Sequence, residues 1–323
     1  MTAVRIPTRK LGFIGAVLLI GCNDETDRST TAPTASLTPV ASFAPSRNDP
    51  IARSETINGG GGLSLSVYDA GTPGARPILF IHGFSQNYLT WDQQFLGLAE
   101  SFQVVAYDMR GHGASDKPLD ASQYTQSSLW ADDLNAVIRA RNLDRPVLVG
   151  WSYGGYVMAD YIRKYGDGAL GGLVFEGVST KNGTAEAAGF LTDEVLSIFP
   201  AVLSGDVRES IDGTRALAAL FARRDSDPWE VAVASGMMVP PPIRIAMFSR
   251  VLDNDDVLAS IRVPTLVVHG GADRIVRSSA AEHTASTVPG AKLLVYPGVG
   301  HAPHLETPAR FNRDLADFIR SIR

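Results

Sequence analysis

The chain has 323 residues, 45% hydrophobic and 20% charged, a composition that predicts a globular protein with room for one large or two small domains. A formal charge of −5 without any dense basic run argues against nucleic-acid binding. The chain has 1 cysteine, which excludes an intramolecular disulfide and a cysteine-rich zinc site.

Arg5, Arg9 and Lys10 precede an apolar run over residues 11–20. That run is well short of the roughly 20 apolar residues that span a bilayer, so it reads as a targeting segment and not as a transmembrane helix. It ends in Leu19-Ile20-Gly21-Cys22, which resembles the lipobox of bacterial lipoproteins. The resemblance implies removal of the signal peptide 1–21 and a lipid on Cys22. An ordinary signal peptide with a free or buried thiol is the alternative. Residues 22–55 are rich in Ser, Thr, Pro and Ala and show no apolar period, so they are expected to form a flexible tether. Loss of residues 1–21 removes three positive and no negative charges, taking the formal charge from −5 to −8. Charge alone would therefore not draw the protein to anionic headgroups, and the lipid would be its membrane partner. The implied location is the bacterial cell envelope, with the folded part outside the cytoplasm. Asn23 lacks the aspartate that marks inner-membrane retention in enteric bacteria, which leaves the choice of membrane open.

From residue 56 the pattern alternates strand and helix. "LSLSVYDAG" (63–71) alternates apolar and polar residues, as a half-buried edge strand does. "PILFIHG" (77–83), "QVVAYD" (103–108), "PVLVGW" (146–151), "GGLVFEG" (171–177), "PTLVVHG" (264–270) and "AKLLVYPG" (291–298) read as central parallel strands buried on both faces. Amphipathic helices are expected over 128–142, 154–166 and 310–322. Such alternation predicts an α/β fold, a mostly parallel sheet with helices on both faces, over 56–323. Residues 181–257 break the rhythm: they carry helical patterns but no convincing strand, and are too long for a simple crossover. They are expected to form a helical cap over the C-terminal edge of the sheet, with Pro240-Pro241-Pro242 stiffening a cap-to-core connection.

"LVGWSYGG" (148–155) puts Ser152 on a sharp strand-to-helix turn, with the Tyr153 amide at a helix N-terminus. A serine hydroxyl needs a base within reach. Of the six histidines, His301 in the loop "GVGHAPHLE" is placed to supply it. His304 is expected at the start of the helix, as a surface or helix-start residue, His283 solvated in mid-helix, and His82, His112 and His269 in structural hydrogen bonds near strand ends. The base needs an orienting carboxylate. Asp273 in "HGGADRIV" is the candidate, because its loop faces the same edge as the His301 loop; Glu176 in "VFEGVS" is the rival.

The order Ser152, Asp273, His301 resembles that of the α/β-hydrolase superfamily. "HGF" (82–84) looks like its oxyanion loop, and "DMRGHGAS" (108–115) like the loop after the following strand. The resemblance implies a catalytic triad of Ser152, Asp273 and His301, with the backbone amides of Phe84 and Tyr153 as the oxyanion hole. A serine at the elbow argues against the dehalogenase and epoxide hydrolase branches, and the lack of "HGGG" against the hormone-sensitive-lipase branch. "HGFSQNYLTWDQQ", "GWSYGG" and "MMVPPPIRIAMFSR" look closest to the small esterases once described as cofactor-free haloperoxidases. That similarity implies a serine hydrolase acting on small to medium acyl esters, without cofactor or metal, with perhydrolysis as a side activity. The same triad serves lactonases, amidases and C–C bond hydrolases of ring-cleavage products; a binding protein on this scaffold would be expected to lack a triad member. Phe190, Leu191, Phe199, Met237, Met238, Val239 and Met247 of the cap are candidate substrate contacts, or equally cap core.

Overall fold

A computed structural model describes residues 51 and 53–322; the targeting segment, Cys22 and the tether through residue 50 lie outside the described residues. The strands are β1 (Arg53–Asn58), β2 (Ser64–Ala70), β3 (Pro77–Ile81), β4 (Gln103–Tyr107), β5 (Val147–Trp151), β6 (Gly172–Glu176), β7 (Lys181–Asn182), β8 (Leu252–Asp253), β9 (Thr265–Gly270) and β10 (Lys292–Tyr296). The core helices before the cap are α1 (Asp92–Leu98), α2 (Ser122–Thr125), α3 (Ser127–Ala140) and α4 (Gly154–Tyr165). The cap holds α5 (Ala185–Phe190), α6 (Asp193–Val202), α7 (Val207–Ala218), α8 (Asp227–Met237) and α9 (Pro241–Phe248). After it come α10 (Asp255–Ser260), α11 (Ser278–Thr287), α12 (Pro303–Glu306) and α13 (Pro308–Ser321).

Eight strands form one sheet in the order β1-β2-β4-β3-β5-β6-β9-β10. β2 pairs antiparallel with β1 and β4, and the remaining pairs are parallel. The period of two divides each strand between two cores. Leu79, Ile81, Val105, Tyr107, Leu148 and Phe175 meet α3 and α4 through Trp130, Leu134, Val137 and Val157. Ile78, Phe80, Val104, Ala106, Val149 and Val174 meet α1 and α13 through Phe95, Leu98, Phe311 and Leu315. The chain leaves β3 toward β4 on one side and returns to β5 on the other. This is the topological switch point, where an open parallel sheet leaves a crevice beyond its strand ends.

Several expectations need correction. The tether gives up residues 53–55 to β1, where Glu55 takes a 2.6 Å ion pair from Arg141. β1 was illegible because five of its six residues are exposed, so it needs no apolar pattern. It displaces β2 from the edge. β10 is the other edge, and its Leu293 and Val295 are exposed and not buried on both faces. The cap is closed at its base by a short antiparallel ribbon, β7 with β8, and α10 already belongs to the core, packing on α4 and α11. The three prolines do not bridge cap and core: Pro241 and Pro242 open α9 inside the cap, at positions where a missing N–H costs nothing.

The loop 108–115 is a structural knot. Arg110 is fully buried on Asp133, at 2.7 and 2.9 Å, and Asp108 accepts the Tyr88 and Ala114 amides at 2.9 and 2.8 Å. His82 and His112 tie this loop to the one after β3, as expected of them. His82 Nε2 accepts the Met109 amide at 3.0 Å, and His112 Nε2 accepts the Ser85 amide at 3.2 Å. Each therefore donates Nδ1–H, to the Gly83 and Arg110 carbonyls respectively, and is neutral. Burial pulls the His82 imidazole down from 6.5 to about 4, only partly offset by its bond to Gly83. Burial likewise holds His112 well below its ordinary range.

Unfolded, these imidazoles take up protons near pH 6.5; folded, they resist. The stability they contribute is thus complete above pH 6.5 and is lost as the pH falls toward about 4. For His82 the expected loss is about 3 kcal/mol, read as a falling urea midpoint between pH 7 and 4.5. Replacement His82→Gln should flatten that slope.

Candidate active site

β5 delivers the chain to Ser152, whose φ of 51 is strained for any residue with a side chain. The Ser152 amide donates to the Glu176 carbonyl at 2.9 Å and the Gly155 amide to the Ser152 carbonyl at 3.0 Å, which pins the turn against β6. A Cβ on Gly154 would sit 2.4 Å from the Ile81 carbonyl oxygen, and one on Gly155 2.3 Å from Val178, so neither site accepts a side chain. The result lifts the Ser152 side chain to the sheet edge at the switch point.

Asp273 and His301 meet as the sequence predicts. His301 Nδ1 donates to Asp273 Oδ2 at 2.8 Å, and both groups are buried. Asp273 is held in turn by the Ile275 and Val276 amides on Oδ1, at 2.7 and 3.0 Å. The His301 loop is anchored at its backbone: the Trp151 indole Nε1–H donates to the His301 carbonyl at 3.0 Å. Thus the residue before the serine holds the residue proposed as its base. Nothing in the sequence pattern announced this bond.

Ser152 and His301 line one cavity of about 40 Å³. Its walls are apolar: Phe84 and Trp151 from the core, Val195, Phe199, Leu217, Phe221 and Phe248 from the cap, and Ile275 beside the acid. Of the cap residues suggested by sequence only Phe199 is among them. Phe190, Val239 and Met247 are buried in the core, and Met237 and Met238 face solvent. Helices of the cap carry apolar residues on more than one side, and sequence alone does not say which side faces the serine. Neither the Phe84 nor the Tyr153 amide enters a backbone hydrogen bond of a loop or turn among the described residues.

The rival acid is committed elsewhere. Glu176 Oε1 accepts from the His304 backbone amide at 3.0 Å and from His304 Nδ1 at 2.8 Å. Glu176 and His304 are both fully buried, so of the two positions expected for His304 the helix start holds, in α12, and the surface does not; its ring is enclosed by Trp91 and Trp151, centroids 4.2 and 4.9 Å away. The site therefore holds two parallel acid–histidine pairs, and only Asp273–His301 opens onto the cavity with Ser152. His283, expected in solvent, is half-buried and hydrogen-bonded to Asp255 at 2.8 Å. His269 is buried beside Asp273, but at 3.8 Å it is beyond hydrogen-bonding distance of it. Its desolvation holds the imidazole below its ordinary range, so it adds no cation beside the acid.

A model of the alpha/beta hydrolase family matches residues 78–314. The chain belongs to the alpha/beta hydrolase family. The esterase RhEst1 from Rhodococcus sp. ECU1013 has a similar structure, with a TM-score of 0.80 and 31% identity over 84% of this chain and 99% of that one. The non-heme chloroperoxidase of Streptomyces lividans is 30% identical over 82% of this chain and 99% of its own length. The bifunctional esterase/perhydrolase DCH of Acinetobacter calcoaceticus is 28% identical over 80% of this chain and 97% of its own. The protein is a hydrolase of this fold.

In this alpha/beta hydrolase Gly177 is the backbone against which His301 is seated. Its φ is +57, and a Cβ there would lie 2.9 Å from the His301 carbonyl oxygen and 3.1 Å from Nδ1. Gly177→Ala should push the imidazole off the cavity and lower kcat by roughly 10²-fold, as misplacements of about 1 Å do. Steady-state kinetics beside a thermal melt checks it, the melt being expected to shift far less than the rate.

Proposed function

We propose that this alpha/beta hydrolase is a serine esterase for small acyl groups, working through an acyl-enzyme on Ser152. The observation that carries the reading is the shared cavity: Ser152 and His301 line it together, and His301 Nδ1 is fixed on Asp273 at 2.8 Å. With Nδ1–H given to Asp273, Nε2 is left as the base. Ser152 Oγ attacks the ester carbonyl as His301 takes its proton. The carbonyl π pair moves onto oxygen, where the amides of Phe84 and Tyr153 receive it. Collapse expels the alcohol, protonated by His301, and water repeats the sequence to release the acid. Hydrogen peroxide in place of water would release a peracid from the same acyl-enzyme, a side activity supported by the esterase/perhydrolase relative.

The size of the cavity narrows the acyl group. A cavity of about 40 Å³ is small, which suits a short acyl chain better than a long one. We further propose that the enzyme is held at a membrane by a lipid on Cys22, a residue outside those described.

The test is p-nitrophenyl ester hydrolysis from acetate to octanoate by the wild type and Ser152→Ala. The variant should lose at least roughly a thousandfold in kcat. Acetate and butyrate should exceed octanoate in kcat/KM by on the order of tenfold or more. A folded wild type no faster than its variant on every ester would remove simple ester hydrolysis from consideration.

A further inference from the structure

The two amides assigned to the oxyanion hole belong to residues whose side chains both reach the cap. Phe84 packs edge-on against Phe248 at the end of α9, centroids 4.6 Å apart. Tyr153 also meets the Phe248 ring edge-on, at 6.1 Å. The buried Tyr153 hydroxyl donates to the Met247 carbonyl at 3.2 Å and accepts from Arg250 Nη1 at 3.3 Å. Arg250 is locked to the core: its Nη2 donates to both Asp160 carboxylate oxygens, at 2.7 and 2.6 Å, and to Ser127 Oγ at 2.9 Å. A third tie runs from the loop after β3, where Gln86 Nε2 donates to the Ala232 carbonyl of α8 at 3.4 Å.

The two donors differ in what else orients them. Tyr153 opens α4, so the helix directs its amide. Phe84 lies in an irregular turn, next to Ser85 at φ 56, and no secondary structure sets its direction. An oxyanion donor must sit about 2.7–3.1 Å from an oxygen that exists only in the transition state. A side chain that braces such an amide thus acts on kcat more than on substrate binding.

We propose that the return arm of the cap, residues 247–250, sets the oxyanion hole, with Phe248 and Arg250 as positioning residues. The inference rests on the serine esterase reading above. Phe248 also forms part of the acyl cavity wall, so an acyl group of the right size presses on the same ring that braces Phe84. Filling the cavity and forming the hole are then one event. The cap belongs to the transition-state machinery and is more than a cover over the serine.

The experiment compares Phe248→Ala, Tyr153→Phe and wild type on p-nitrophenyl acetate, together with inhibition by a trifluoromethyl ketone bearing a short alkyl group. The ketone adds Ser152 Oγ to its carbonyl, sends the proton to His301 and leaves an oxyanion in the hole; in Tyr153→Phe, which alters no wall of the cavity, its Ki reads the hole without a lost contact to the alkyl group. Phe248→Ala should lower kcat by ~10–100-fold, a fraction of the loss of a whole donor, with KM little changed. The ketone Ki should rise by the same factor. Tyr153→Phe, which removes one hydroxyl and keeps the ring and fold, should show both effects at about three- to tenfold. A ketone Ki unchanged in Tyr153→Phe, whatever Phe248→Ala does, or a loss confined to KM, overturns the proposal. Undiminished turnover by Ser152→Ala would instead strike the esterase reading, so the two failures are distinguishable.

Discussion

The backbone of Ser152, held at φ 51 where β5 turns into α4, is the constraint on which the rest of the site depends. A residue with a side chain costs of order 1–3 kcal/mol in that conformation and persists only when its surroundings leave it no other. Here the surroundings are the parallel sheet itself. The Glu176 carbonyl holds the serine amide, and the Ile81 carbonyl lies where a side chain on Gly154 would be. The strain is stored locally and sustained by buried strands on both sides.

From that turn the site grows outward by contacts the elbow creates. Trp151, one residue before the serine, holds the His301 carbonyl; Tyr153, one residue after it, holds the cap. Glu176, whose carbonyl pins the serine, spends its carboxylate on His304, three residues beyond His301. The His301 loop is thereby fastened on both sides of His301, to β5 and to β6, and the His301 ring is left for Asp273. Two acid–histidine pairs at one sheet edge do different work: one fixes a loop and the other faces the cavity.

Much of this was legible in the sequence because it depends on local pattern. Apolar runs marked the seven strands from β2 to β10 that belong to the main sheet, and glycines around Ser152 marked the elbow. The turn after β9 and the loop after β10 marked Asp273 and His301. What escaped was decided by distant partners. β1 is polar because it is an exposed edge, so it carries no strand pattern. His304 looks like any helix-start residue until Glu176, Trp91 and Trp151 enclose it. The cavity walls Val195, Leu217, Phe221, Phe248 and Ile275 come from segments that sequence cannot fold onto one point. Arg250 carries no local signal of its position and is buried on Asp160.

The site works as proposed only if Ser152 is the nucleophile that His301 activates. The most direct measurement is reaction with diethyl p-nitrophenyl phosphate, followed by nitrophenolate release and peptide mass mapping. Attack by Oγ on phosphorus expels nitrophenolate and leaves a diethylphosphoryl ester that water removes slowly. One such group is expected, on Ser152, formed with a stoichiometric burst and far more slowly in His301→Ala. Labelling elsewhere with Ser152 unmodified, or an equal rate in His301→Ala, would contradict it.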